Sequence, residues 1–315
     1  MQPAFRAFLT ELIDYAGLFP PAALDLAPAI RNHLRYRQGA DAWMLGRFIV
    51  PAARLTDLGA FASEMDGAPV RLSVLGLADV PGGAGSTGRA TVEAARHFEA
   101  AHPGRVRCDR FELRTTPADV DAGLAEAVSE MGLGAEDAVA LEVPLVGDTY
   151  DPGRVEHAAA SIAEANARAG RAIAALKLRC GGVTPDLVPG VEAVAHAIAA
   201  ARDAGAPFKA TAGIHHPFPN WDEAVGARMH GFVPVFGGAC LAHAHGLDRD
   251  ALAEVLDDDD PAHFHLADTL GWRSLQVSAE TVHSVRQSAA LSFGSCSFDE
   301  PREDLQALGW WPASA

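Results

Sequence analysis

Only two of the chain's 25 basic residues are lysines, Lys177 and Lys209; the other 23 are arginines. A guanidinium stays protonated, whereas an amine whose pKa is lowered by burial or by a second cation can shed its proton and add to a carbonyl carbon. The two lysines lie 32 residues apart, the length of one strand-helix repeat, which puts them on neighbouring strands of a parallel sheet. The competing reading is that a compact ammonium fits where a guanidinium does not, and there holds a carboxylate or a phosphate.

Charged and apolar residues alternate around both lysines. In RFELR, Phe111 and Leu113 oppose Arg110, Glu112 and Arg114; in VALEV, Val139, Leu141 and Val143 oppose Glu142. In AALKLRC, Leu176 and Leu178 oppose Lys177 and Arg179, and in FKATAGI, Phe208, Ala210, Ala212 and Ile214 oppose Lys209, Thr211 and Gly213. A period of two gives a strand one face for the surrounding helices and one for the interior of a closed barrel. Burying charge there costs on the order of several kcal/mol per ion, and a catalytic cavity is the usual reason to do so. A structural ion-pair plug is the alternative. The expected catalytic set is Lys177, Lys209, Glu142, Glu112 and His215, with Arg179, Arg114, Thr211, His216, Asp14 and Asp268 contacting substrate.

His215 and His216 close the seventh strand, and His265 and Asp268 are expected on the eighth. Imidazoles at a barrel rim suit acid-base work or metal ligation. Adjacent histidines on a regular strand face opposite ways, so both reach one site only if the chain turns, as Pro217 suggests. The metal alternative uses a divalent ion on His215, His216, His265 and Asp268. The reading without a cofactor uses none.

The elements that would position these groups repeat from end to end. Eight strand-like runs are expected: Leu12 to Phe19, Gly46 to Pro51, Val70 to Leu77, Val106 to Arg114, Ala138 to Pro144, Ala174 to Cys180, Phe208 to His215 and His263 to Leu270. Helical spacing is clearest at Arg89 to Ala101, Val120 to Met131, Arg154 to Ala169, Val191 to Ala204 and Ala279 to Ser288. Eight strands alternating with helices in this length predict an α/β fold, one (β/α)8 TIM barrel spanning 1–315. Residues 290–315 read as a C-terminal extension, a strand or loop plus a closing helix. The cluster GGAGSTGR, Gly82 to Arg89, reads as a plain or mobile loop leading into a helix.

Composition narrows the rest. A net charge of −16 without clustered bases argues against nucleic acid. The N-terminus lacks signal-peptide character, and the longest apolar stretch, Phe232 to Ala242, is too short for a bilayer, so no membrane partner is expected. Four dispersed cysteines without a C-x-x-C pair fit a reducing cytoplasm. The expected partner is a small-molecule substrate, and a homo-oligomer is compatible.

LKLRCGG (Leu176 to Gly182) and FKATAGIHHP (Phe208 to Pro217) resemble the sixth and seventh strands of the deoxyribose-phosphate aldolase family of class I aldolases. In that family the sixth strand carries the Schiff-base lysine in K-T-S-T-G, and the seventh a second lysine, in K-A-S-G-G, that lowers the pKa of the first. The resemblance implies that Lys177 is the nucleophile and Lys209 its tuning partner, with Ala210 and Gly213 matching the second motif. It also implies a fourth-strand acid as proton relay, either Glu112 or Asp109. The family's Gly-rich phosphate site is replaced here by IHHPFPN and HLADTLGW, so the resemblance does not extend to a phosphorylated substrate.

The leading expectation is therefore a class I, Schiff-base aldolase-like lyase acting on a small carbonyl or carboxylate substrate. The alternatives are a metal-dependent hydrolase or isomerase using the rim histidines, and a non-catalytic barrel that binds a small acid.

Overall fold

The computed structural model describes residues 2–78 and 80–311. Eight parallel strands close into a barrel: β1 (Ile13–Tyr15), β2 (Leu45–Pro51), β3 (Val70–Leu75), β4 (Val106–Arg114), β5 (Ala138–Glu142), β6 (Ala174–Arg179), β7 (Phe208–Thr211) and β8 (Ala290–Ser295). Sequential strands are neighbours, and β8 pairs with β7 on one side and β1 on the other. The chain is thus a (β/α)8 barrel, as its alternating pattern predicts.

One assignment is corrected. The run His263 to Leu270 is not the eighth barrel strand. Its residues form part of a separate antiparallel sheet of Phe264–Leu266, Thr269–Trp272 and Leu275–Ser278. The physical reason is the reversal at Ala267 and Asp268, where the Ala267 amide bonds the Thr269 carbonyl and leaves only three- and four-residue strands. The closing strand is Ala290–Ser295, inside the segment read as an extension, and it follows directly on the helix Ala279–Ser288. Within 290–311 the residues after Ser295, including the helix Asp299–Ala307, lie outside the barrel wall; 312–315 are outside the described residues.

The apolar face of each strand packs outward. Leu176 and Leu178, like Val139 and Leu141, are 0–1% exposed against the helices, while the alternate residues turn inward. The glycine cluster is not a loop. The helix Gly83–Ala101 takes in most of it, and Gly85 and Gly88 let that helix approach Ala127 and Met131 closely.

At the end of β7 the chain turns sharply through Ala212 and Gly213, both in the left-handed region at φ 60° and 70°. A Cβ on Gly213 would lie 2.9 Å from Gly181 Cα and 2.5 Å from Met229 Cε. Gly213→Ala therefore combines a left-handed penalty with overpacking of backbone on backbone, and should cost roughly 2–5 kcal/mol, read as a lower urea midpoint at unchanged m-value. An unchanged midpoint would show that this turn relaxes freely.

Candidate active site

Charged side chains from five strands meet inside the barrel. β6 and β7 align Lys177 with Lys209, and β5 aligns Glu142 with Lys177. Lys177 and Lys209 are 4% and 6% exposed, and Asp14, Glu112 and Glu142 1%, 3% and 8%. Lys209 donates to Asp14 Oδ2 at 2.6 Å and to Glu112 Oε1 at 2.5 Å. Lys177 Nζ stands 3.0 Å from Glu112 Oε2 and 2.9 Å from Glu142 Oε2. Arg179 Nε donates to Glu142 Oε1 at 2.8 Å. A chain of alternating charge thus runs Asp14, Lys209, Glu112, Lys177, Glu142, Arg179.

Neutral donors complete it. Ser73 donates to Glu112 at 2.6 Å, Ser292 to Asp14 at 2.8 Å, and the Arg47 amide to Asp14 at 2.7 Å. Burial pushes the Asp14, Glu112 and Glu142 carboxyls up, but the lysine ammoniums beside them outweigh it, and all three titrate below their ordinary range. Burial pushes the Lys209 amine down; Asp14 and Glu112 outweigh it and hold it above 10.5.

Glu112 lies between the two amines, accepting from Lys209 at 2.5 Å and paired with Lys177 at 3.0 Å. Lys209 is thus the cation that Asp14 and Glu112 share. Of the two fourth-strand acids, Glu112 faces the lysines, whereas Asp109 takes a two-pronged bond from Arg47 at 2.6 and 2.9 Å. Asp109 is displaced by an irregularity in which Cys108 pairs with Leu72 and Arg110 with Ser73, so it drops out of the alternation.

Of the expected substrate contacts, Arg179, Thr211 and Arg114 end their strands at the carboxyl-terminal rim. Arg179 is half-buried, Thr211 lies beside Gly294, and the Arg114 side chain is 81% exposed with its Nε 3.8 Å from Glu142. The turn at Ala212 and Gly213 brings both histidines to the closing helix. His215 Nδ1 is 3.1 Å from Ser295 Oγ, His216 Nδ1 is 2.7 Å from Asp304, and Glu300 reaches each ring at 4.0 Å. Burial, with His216 adding repulsion, pulls His215 down to about 4, so its ring is neutral at pH 7. Among the described residues its hydrogen-bond and ion-pair contacts are with Ser295, Cys296 and Glu300 rather than with either lysine.

The four-residue metal set is not assembled. His265 lies on the outer sheet bonded to Thr269 Oγ1 at 3.1 Å, and Asp268 sits at its reversal. Among the described residues no three His, Cys, Asp or Glu side chains converge as ligands. Asp268 is likewise no substrate contact of the barrel strands. Arg47, Ser73 and Ser292 are partners that the sequence reading missed. Ser73 and Ser292 carried a signal in their inward period-two positions on β3 and β8.

No family model matches the chain, and no curated protein matches it. Among solved structures, it is similar to a variant of the carboxyl transferase domain of Rhizobium etli pyruvate carboxylase, determined with pyruvate. The identity is 13% and the TM-score 0.28, over 98% of this chain and 56% of the other, so the chain spans about half of that structure's length. Among the described residues no helix is long and apolar enough to cross a membrane.

Proposed function

We propose that the barrel is an enzyme, a carbon-carbon lyase of the Schiff-base type, with Lys177 as the nucleophile and a small carboxylated carbonyl compound as substrate. The observation that carries this reading is the position of the Lys177 amine, 2.9 Å from Glu142 and 3.0 Å from Glu112, each able to take its proton. The Glu112 Oε2 atom has no directed hydrogen bond among the described residues and meets Lys177 as an ion-pair partner.

The chemistry then balances with the chain's own groups. Lys177 passes a proton to Glu142, and the freed lone pair adds to the carbonyl carbon. The carbinolamine oxygen takes a proton from the Glu142 acid and leaves as water, giving an iminium on Nζ. A carboxylate removes the proton of the β-hydroxyl, and the electron pair of the Cα–Cβ bond flows to the iminium nitrogen. An aldehyde departs and an enamine remains. Protonation at carbon and addition of water release the second carbonyl product and return the ammonium. Arg179 and Arg114 at the rim supply guanidinium donors for a substrate carboxylate. His215, neutral at pH 7 and held by Ser295, suits a hydrogen-bonding role more than proton donation.

Sodium borohydride tests this. The protein should be inactivated irreversibly when borohydride is added with a short keto acid or aldehyde, and should survive borohydride alone. Survival in the presence of a broad set of such carbonyl compounds would remove the Schiff-base reading and leave the barrel as a non-covalent binder of small acids.

A further inference from the structure

The interior of the barrel is not filled at its amino-terminal end. A parallel barrel normally closes there with branched aliphatic side chains. Here the inward residues Ala138 and Ala140 of β5 and Ala175 of β6 are too short to meet the opposite wall, and a cavity of about 240 Å³ remains. Its lining includes Thr10 and Glu11 before β1, Arg71 near the start of β3, and Arg286 before β8, so it opens at the amino-terminal ends of the strands. Lys209, Glu112 and Asp14 form its floor. Lys177, Glu142 and Arg179 do not line it.

Four arginines surround this cavity: Arg47, Arg71, Arg110 and Arg286. Two are matched by carboxylates, Arg47 by Asp109 at 2.6 Å and Arg71 by Glu11 at 2.8 Å. The others are not. Arg286, 3% exposed, spends its donors on main-chain carbonyls, including Phe8 at 2.8 Å and Thr10 at 3.2 Å. Arg110 gives Nη1 to the Asp109 and Glu136 carbonyls at 2.8 and 3.2 Å, and among the described residues its remaining N–H groups have no partner. Neither has a carboxylate within ion-pair distance among those residues. Burial, joined by repulsion from Arg47, pulls Arg110 down to about 10, and burial alone brings Arg286 to about 10. Burial is the larger cause at both, and only Arg110 also feels repulsion from neighbouring cations, Arg47 and Arg71.

We propose that this amino-terminal cavity is a binding site for a small oxyanion carrying two or more negative charges, a phosphate or polycarboxylate group, held chiefly by Arg110. Such an anion pairs with the unmatched guanidinium donors and offsets the two uncompensated charges. The site shares only Glu112 with the reaction proposed at Lys177, whose amine does not line the cavity.

Calorimetric titration with pyrophosphate and with citrate, at constant ionic strength set by chloride, tests the proposal. Saturable binding of at least one probe is expected, together with a dose-dependent rise in Tm. Arg110→Met should weaken that binding about tenfold or more. Ala138→Leu, which keeps every charge but fills the cavity, should abolish it, and Arg168→Met on the exposed outer helix should leave it unchanged. Heat no greater than in the chloride control, or wild-type affinity in either Arg110→Met or Ala138→Leu, would overturn the assignment. Borohydride inactivation reads a covalent bond at Lys177, which does not line this cavity, so the two proposals fail separately.

Discussion

Lys177→Arg is expected to lower kcat for carbon-carbon cleavage by roughly 10³-fold or more, while the protein stays folded and still binds a carboxylate product. The guanidinium keeps the positive charge that Glu112 and Glu142 require but cannot give up its proton, so addition to a carbonyl stops at the first step. Lys177→Met loses the same activity and also leaves two carboxylates short of a cation, so its unfolding midpoint should fall as well. Lys209→Met separates the two roles. It removes the cation bonded to Asp14 and Glu112 and should destabilise the barrel by about 3–5 kcal/mol, yet it leaves the nucleophile in place. Trapping of a carbonyl adduct in Lys209→Met but not in Lys177→Arg is the expected pattern. Activity surviving in Lys177→Arg would remove the amine from the reaction.

Glu112→Gln should destabilise the barrel as much as Lys209→Met does. Glu112 is 3% exposed and accepts from Lys209 and Ser73 while pairing with Lys177. Removing its charge leaves two buried ammoniums close together with their shared counter-ion gone, a loss of about 3–5 kcal/mol. The pH dependence follows from the directions of the shifts. Asp14, Glu112 and Glu142 titrate lower folded than unfolded, so the stability they contribute is fully present above the ordinary carboxyl values of 3.8 and 4.5. It is lost as pH falls through the folded values, where the unfolded chain binds more protons. Lys209 is shifted the other way, and its contribution is present below 10.5 and lost as pH rises through its folded value. Urea unfolding from pH 7 down to pH 3 should therefore show a steep loss in the wild type and a shallower one in Glu112→Gln. Equal slopes would mean that this carboxylate is not linked to folding.

Much of this was legible in the sequence because barrel strands advertise their two faces. The alternation in RFELR, AALKLRC and FKATAGI identified the inward charges and paired the lysines on neighbouring strands, and the structure aligns them in register. The eighth strand was misplaced because HFHLADTL is as strand-like as ALSFGS. What distinguishes them is the helix Ala279–Ser288 directly before Ala290, the repeat that a parallel barrel demands. The order of charges in space was not legible. Period two says that Lys177, Lys209 and Glu112 all point inward, but only the stagger of the strands puts Glu112 between the amines. Asp109 escaped for a different reason: an irregularity on β4 breaks the period that the reading relies on. The empty amino-terminal interior was written in the sequence as Ala138, Ala140 and Ala175. Alanine is so common in this chain that its position inside a barrel carries meaning only once the wall opposite is known.

The central claim is that the amine at position 177 becomes covalently attached to substrate carbon. Mass spectrometric peptide mapping after borohydride reduction in the presence of a short keto acid reads this directly. The account predicts one added substrate mass, minus the water lost on condensation and plus the two hydrogens of reduction, on the peptide containing Lys177. An adduct confined to the peptide containing Lys209, or none on either lysine, would contradict it.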